Sequence, residues 1–117
     1  MTLKRINPGN RMSTGVINNG VVYLSGLTAN DTTGQSVTEQ TKEILAAIDK
    51  NLAEAGTDKT KIIRAQIWLT DMGTWPEMNE VWDAWVVPGE TPVRAAVHSP
   101  ALALPGLEVE IMVEAAL

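Results

Sequence analysis

The chain has 117 residues, of which 44% are apolar and 20% charged, so its composition is that of one globular domain over residues 1–117 and not of a disordered or membrane protein. Its net charge of -5 would repel a phosphate backbone, and we therefore expect no nucleic-acid partner. The lack of cysteine and the single histidine exclude a disulfide framework and a thiolate nucleophile and argue against a histidine-rich zinc site, so acid and base chemistry would rest on carboxylates.

Strands are predicted for the first part of the chain. Residues 3–6 are predicted to form a short strand that ends in a turn at residues 7–10. Asn19 and Gly20 separate two apolar runs, and Asn-Gly favours a type I′ turn because both residues need a positive φ. The sequence therefore predicts a β-hairpin whose second strand ends at Ser25 and Gly26, followed by Leu27 and a polar loop.

A helix and a strand come next. Ser36 and Glu39 have the spacing of a capping box, and apolar residues then recur at helical intervals until Gly56, a typical C-terminal stop. The following strand lies between residues 61 and 71. Four of its residues alternate and are assigned to one face: Ile63, Ala65, Ile67 and Leu69.

A second amphipathic helix is predicted from Trp75 to Val86. Thr74 and Glu77 repeat the capping-box spacing, and Pro76 suits the first helical turn. Pro88 and Gly89 end the helix before the last two strands.

The last two predicted strands each carry one ionic side chain in mid-run, Arg94 and Glu110. Ala96 and His98 share a face with Arg94, because successive strand residues point to opposite faces. Proline and glycine between the two runs favour two separate strands over one helix.

This order of elements predicts an α+β fold, with two helices on one face of a largely antiparallel sheet. We expect the other face, to which Trp68, Met112 and Ala96 are assigned, to pack against another copy of the chain, because these residues are too apolar for a solvated face. No apolar run is long enough to span a membrane, and the first residues lack the pattern of a signal peptide. We therefore expect no membrane partner and a cytoplasmic location.

Several segments together resemble the RidA/YjgF family, also called the RutC family, over essentially the whole chain. They are VVYLSGL, TKEILAAIDKNLAEAG, IIRAQIWLTDMGTWPEMNEVWDAW, TPVRAAV and LEVEI. Within the family, MNEVWDAWVVPGETPVR resembles the branch that contains the bacterial protein YoaB. The resemblance implies a chorismate-mutase-like fold, assembled as a homotrimeric barrel with sites in the clefts between subunits.

The resemblance also implies an activity. Members of the RidA branch are enamine/imine deaminases that hydrolyse reactive 2-imino acids to 2-keto acids and ammonia, with no metal and no organic cofactor. Matched by position, Arg94 corresponds to the carboxylate-binding arginine and Glu110 to the glutamate that handles water, while Asn79, Ser25 and Gly26 correspond to residues of the cleft. Three further cleft positions depart from the RidA pattern and bear on the substrate: Met12, Leu27 and Ala96.

The side chains suit this chemistry. The planar guanidinium of Arg94 can donate two parallel hydrogen bonds to a carboxylate, and Glu110 could orient and deprotonate a water beside the imine carbon. The alternative is a cross-strand ion pair between Arg94 and Glu110 on a solvated face, which would contribute only about 0.2 to 1 kcal/mol.

Other residues have both structural and functional interpretations. Asn79 either points into the cleft or is simply solvated. His98 is interpreted as a partly buried residue near a strand end, Trp82 and Trp85 as core residues, and Tyr23 as a packing residue.

The main alternative function is a protein that binds or senses a small carboxylate such as a 2-keto acid, without catalysis. Chorismate mutase activity would need several cations around a dicarboxylate, and only one convincing arginine is present. Ribonuclease activity fits poorly with the acidic charge.

Overall fold

The computed structural model describes residues 2–117, which form a seven-stranded sheet and two α-helices. The predicted α+β class is therefore confirmed. The strands are β1 Lys4–Pro8, β2 Ser13–Asn18, β3 Val21–Leu24, β4 Leu27–Thr28, β5 Ile62–Leu69, β6 Val93–His98 and β7 Val109–Ala116, and the helices are α1 Val37–Ala55 and α2 Trp75–Trp85.

The strand order along the sheet is β1-β2-β3-β7-β5-β6, and the short strand β4 pairs with β7 as well. All the pairings are antiparallel except the one between β5 and β6, which α2 connects. β6 thus forms one end of the strand order. The short strand β4 was not predicted, because two residues are too few to show an alternating pattern.

The predicted hairpin is confirmed as β2 and β3. Asn19 has φ 52° and Gly20 has φ 77°, as a type I′ turn requires. β1 continues to Pro8, so the turn begins after Pro8 and not at the predicted residue 7. The turn is closed by Gly9, whose N–H donates to the carbonyl of Met12 at 2.8 Å.

Both predicted ends of α1 are confirmed. The Ser36 hydroxyl accepts from the Glu39 N–H at 3.2 Å, and Gly56 adopts the left-handed conformation with φ 90°. One face of α1 is buried in the core, through residues that include Ile44, Leu45, Ile48 and Leu52.

The predicted bounds of α2 are confirmed to within one residue, but its predicted capping box is wrong. The Thr74 side chain donates to the Asp71 carbonyl at 2.6 Å and does not cap the helix. Glu77 reaches across to α1 instead, where its carboxylate accepts from the Thr38 hydroxyl at 2.7 Å and from the Thr38 N–H at 3.2 Å. Glu77 therefore links the two helices.

One residue of β5 was assigned to the wrong face. The pairing of β5 with β7 shifts register between Ile62 and Arg64, as in a β-bulge. Ile62 is consequently buried at 6% exposure, whereas Ile63 is 46% exposed. The strict alternation that placed Ile63 with Ala65 does not extend across this irregularity.

The hydrophobic core lies between the helices and one face of the sheet. It includes Leu52 of α1, Met78 and Trp82 of α2, and Ile67 and Ile111 of the central strands. This confirms two helices on one face.

The opposite face of the sheet carries Trp68 and Met112, as predicted, both only partly buried in the single chain. Ala96 was assigned to that face wrongly. It is paired with the buried Ile67 and packs against the core on the helix side.

Candidate functional site

Arg94 and Glu110 point to opposite faces of the sheet. Arg94 is paired with Ala65, and Ala65 with Val113, both buried under the helices. Directly paired residues share a face, so Arg94 projects toward the helices. Glu110 is paired with Trp68 and projects to the other face. The two side chains therefore cannot form the cross-strand ion pair that the sequence left open.

The guanidinium of Arg94 lies against the second helix. Its central carbon is 5.2 Å from the ring centroid of Trp82, which is the distance of a cation–π contact. Among residues 2–117 it makes no ion pair, and its Nη1 atom is shielded from solvent without a hydrogen-bond partner. A buried donor without an acceptor is uncommon in a folded chain, so this atom is available to an anion.

Asn79 has a similar unused atom. It lies three residues before Trp82 on α2, and side chains at this spacing share a helix face. Its Oδ1 is shielded from solvent and accepts no hydrogen bond from the part of the chain that the structure describes. Asn79, Trp82 and Arg94, with Ala96 on the same face as Arg94, form the first group of candidate residues, which we call the arginine group.

Glu110 belongs to a second group, around the junction of β3 and β4. A Cβ atom built on Gly26 would lie 2.5 Å from Oε2 of Glu110, so the glycine gives the carboxylate its space. Ser25 is fixed beside it, because its hydroxyl donates to the Ser13 carbonyl at 2.5 Å and its N–H donates to the Thr14 carbonyl at 3.0 Å.

A pocket of about 230 Å³ lies next to this junction, and its lining includes Met12, Ser25, Gly26 and Leu27. Glu110 does not line the pocket but contacts Gly26. The structure therefore brings five predicted residues close together, which we call the glutamate group: Met12, Ser25, Gly26, Leu27 and Glu110. Leu27 also packs against the core.

Glu108 lies just before β7, and Glu110 and Glu114 lie within it on the same face; of these three glutamates, Glu110 alone is unengaged among the described residues. Glu108 accepts a hydrogen bond from the Thr70 hydroxyl, and Glu114 forms an ion pair with Arg64 at 3.4 Å. No side-chain hydrogen bond or ion pair within residues 2–117 involves the Glu110 carboxylate. It is the free carboxylate of this face.

The comparisons with known proteins agree with this architecture. The family model described as Endoribonuclease L-PSP matches residues 2–117. A RutC family protein of Haemophilus influenzae is 43% identical over 113 residues, which cover 97% of each chain. The RutC family protein YoaB of Escherichia coli is 40% identical over 116 residues, 99% of each chain. The chain belongs to the RutC (YjgF) family.

Solved structures of the family have the same fold. A YjgF-family protein of Neisseria meningitidis superposes with a TM-score of 0.94 at 43% identity, covering 99% of this chain and 95% of the other. A YjgF-family protein of Mycobacterium tuberculosis gives a TM-score of 0.87 at 27% identity, covering 99% and 100%. The resemblance inferred from the motifs, including the relation to YoaB, is therefore confirmed.

Two residues outside both groups differ from their predicted environments. His98 is exposed rather than partly buried, because it lies at the end of the terminal strand β6. Tyr23 is 40% exposed and is not a core packing residue in this RutC-family chain.

The two tryptophans were both interpreted as core residues. Trp82, at 5% exposure, is confirmed as one, but its contact with Arg94 was not predicted. The only available signal was its helical spacing from Asn79. Trp85 is only partly buried, and its ring N–H donates to Asp49 at 3.0 Å.

The largest pocket described, about 540 Å³, lies between α1 and α2 and contains none of the predicted site residues. Two carboxylates on its rim are already used within the chain, because Asp49 accepts from Trp85 and Glu77 accepts from Thr38. Neither the arginine group nor the glutamate group therefore lies in this larger pocket.

The described residues limit two further classes of site. Within residues 2–117 no three acidic or histidine side chains converge in a way that could hold a metal ion. None of the helices in this range is both long and apolar enough to cross a bilayer.

Proposed function

We propose that the protein is an enamine/imine deaminase that hydrolyses small 2-imino acids to 2-keto acids and ammonia. The observation that carries the proposal is the pair of unengaged groups, a shielded guanidinium Nη1 on Arg94 and a free carboxylate on Glu110. A cation that binds a carboxylate and a general base are the two functions this hydrolysis needs. Membership of the RutC family supports a general role of this kind.

A complete site would need two copies of the chain. Arg94 and Glu110 lie on opposite faces of one sheet, so one molecule cannot present both to the same small substrate. The arginine group of one copy would meet the glutamate group of the next. We propose that three copies close into a ring, which places three such sites at three equivalent interfaces.

Exposed apolar side chains on the face opposite the helices support this assembly. Val93 is 68% exposed and Val97 44% exposed, and both lie on the same face as Glu110, next to the partly buried Trp68. A monomer in water would leave this surface unfavourably hydrated, whereas packing against a second copy would bury it.

The reaction follows from the two groups. Arg94 holds the substrate carboxylate through charge-assisted hydrogen bonds, which fixes the neighbouring imine carbon. Glu110 takes a proton from a water molecule as the water oxygen bonds to that carbon, and passes this proton to the imine nitrogen. Glu110 then takes the hydroxyl proton of the resulting 2-amino-2-hydroxy acid and gives a proton to its amino group as the C–N bond breaks, which releases ammonia and a 2-keto acid.

This chemistry makes modest demands on the protein. Imines already hydrolyse in water, so a barrier lowered by about 3 kcal/mol would give an acceleration of about a hundredfold. No metal or organic cofactor enters any of these steps. Met12 would present apolar surface to the substrate side chain, and Leu27 would line the cleft beside Gly26 while its own side chain packs toward the core. Asn79 would hydrogen-bond the substrate, and Ala96 would leave room beside Arg94.

The test is the rate of imine hydrolysis by the purified protein. An amino acid oxidase generates the imine, and semicarbazide traps the fraction that survives. We expect the wild type to reduce trapping, Arg94→Ala to raise KM at least tenfold, and Glu110→Gln to lower kcat. Arg5→Ala and Glu39→Gln remove exposed charges of the same types elsewhere and should leave both constants unchanged.

Two results would contradict the proposal. Trapping that is unaffected by the wild type for several amino acids would reject the deaminase. If the protein also bound a 2-keto acid in a manner abolished by Arg94→Ala but not by Glu110→Ala, the data would favour a protein that binds or senses a carboxylate without catalysis.

A further inference from the structure

Trp82 supports Arg94 from the core side. The tryptophan is 5% exposed and packs against Trp85, with ring centroids 5.4 Å apart and planes inclined at 53°. Its ring is therefore fixed by its neighbours, and the guanidinium of Arg94 lies over it at 5.2 Å. Arg94 lies in the strand β6, and the ring that its guanidinium contacts lies in the helix α2.

Contact with an aromatic ring leaves an arginine free to bind a ligand, whereas an ion pair with a carboxylate does not. A sheltered arginine is usually neutralised by a carboxylate, which then occupies the N–H groups that a ligand would use. A ring attracts the cation through its face and leaves the in-plane N–H groups free. This agrees with the absence of an ion pair to Arg94 among residues 2–117 and with its unpartnered Nη1.

We propose that Trp82 is a positioning residue, which holds the guanidinium of Arg94 in the orientation that binds the substrate carboxylate without neutralising its charge. The inference rests on the proposed function. Because the carboxylate keeps its charge throughout the reaction, the contact stabilises the bound substrate and the transition state alike. Loss of Trp82 should therefore raise KM and leave kcat nearly unchanged.

The kinetic experiment compares two substitutions of Trp82 with a matched control. Trp82→Leu removes the aromatic face and should raise KM about tenfold, with kcat within about twofold of the wild type. Trp82→Phe keeps a smaller ring and should raise KM about threefold. Trp85→Phe makes the same change one turn later, beside Trp82 but not under Arg94, and should leave KM unchanged.

A merely structural role for Trp82 predicts a different pattern. It would lower the thermal midpoint and the fraction of active protein, and so the apparent kcat, with KM constant. A KM that does not rise in Trp82→Phe, in protein with the circular dichroism spectrum of the wild type, would overturn the inference.

A ligand-free readout separates the failure of this inference from failure of the proposed function. Ring currents should displace the Arg94 Nε–H proton resonance upfield in the wild type, less in Trp82→Phe and hardly at all in Trp82→Leu. An unshifted wild-type resonance would overturn the cation–π contact itself, even if the enzyme is active. A shifted resonance in a protein that neither binds nor hydrolyses any 2-imino or 2-keto acid would reject the proposed function, and with it the role of Trp82.

Discussion

Gly26→Ala tests whether the carboxylate of Glu110 acts in the reaction. An ordinary contact begins near 3.4 Å, and the new Cβ would be 2.5 Å from Oε2, so the carboxylate must move by about 0.9 Å. A displacement of this size in a catalytic group lowers the rate about a hundredfold, or about 2.7 kcal/mol in the barrier. We expect kcat for imine hydrolysis to fall by this factor.

Two other quantities should remain unchanged in Gly26→Ala. KM should stay near the wild-type value, because Arg94 belongs to the other group of residues. The free energy of unfolding should change by less than about 1 kcal/mol, since Gly26 is not among the positive-φ glycines and alanine suits its backbone.

A double-mutant cycle tests whether Gly26 and Glu110 act together. If Gly26→Ala acts through Glu110, it should have little further effect in a Glu110→Ala background, because the two changes are coupled. The same loss of kcat in both backgrounds, or no loss in the wild type, would show that the glycine does not provide space for a catalytic carboxylate.

Three further predictions concern stability. The Thr32 hydroxyl and three backbone N–H groups donate to Glu43 and lower its pKa to about 2. The ionised Glu43 therefore contributes to the free energy of unfolding above about pH 4.5, and this contribution is lost as the pH falls toward 2. Solvent screening reduces this contribution to about 1 kcal/mol. The free energy of unfolding of Glu43→Gln, measured by urea titration, should therefore depend less on pH between about 4.5 and 2 than that of the wild type. Ile62→Ala should lower the free energy of unfolding by about 2 to 5 kcal/mol and Ile63→Ala by under about 1, and equal losses would contradict the β-bulge. Gln40→Leu should lower the thermal midpoint, because its fully buried amide bonds three backbone groups, two of which, the Gln35 carbonyl and the Glu108 N–H, leucine would leave unpaired, and an unchanged midpoint would argue against this role.

The elements predicted correctly are those specified by local chemistry. Asn19 and Gly20 define the hairpin because their backbone angles favour one turn type. Ser36 and Gly56 define α1 because each satisfies backbone groups at its own end of the helix. These interactions involve residues close in sequence, so they can be inferred from spacing alone.

The features that were missed depend on residues distant in sequence. Glu77 has capping-box spacing, but Thr38, 39 residues earlier, offers it two donors. Ile63 follows the alternating pattern, but the register with β7 shifts at that point. A residue pattern shows which residues could form a given contact, and the tertiary structure determines which of them does.

The candidate site was predictable in its members but not in its arrangement. The motifs gave Arg94 and Glu110, and alternation within each strand gave the neighbours on each face. Alternation cannot show whether residues of two different strands share a face, because this depends on the pairing of β6 and β7 with β5. The division into two groups, and the support of Arg94 by Trp82, required the structure.

The most direct test of a site shared between copies is complementation between two variants, each of which lacks one of the two side chains of the site. Arg94→Ala and Glu110→Ala subunits, mixed in equal amounts, denatured and refolded together, should regain about a quarter of the wild-type rate at a substrate concentration well below the wild-type KM, because about one interface in four then pairs an intact arginine group with an intact glutamate group. Native mass spectrometry confirms that mixed assemblies have formed. Recovery of activity in those assemblies is the result we predict, and mixed assemblies no faster than the average of the two parent variants would contradict a site built from two copies.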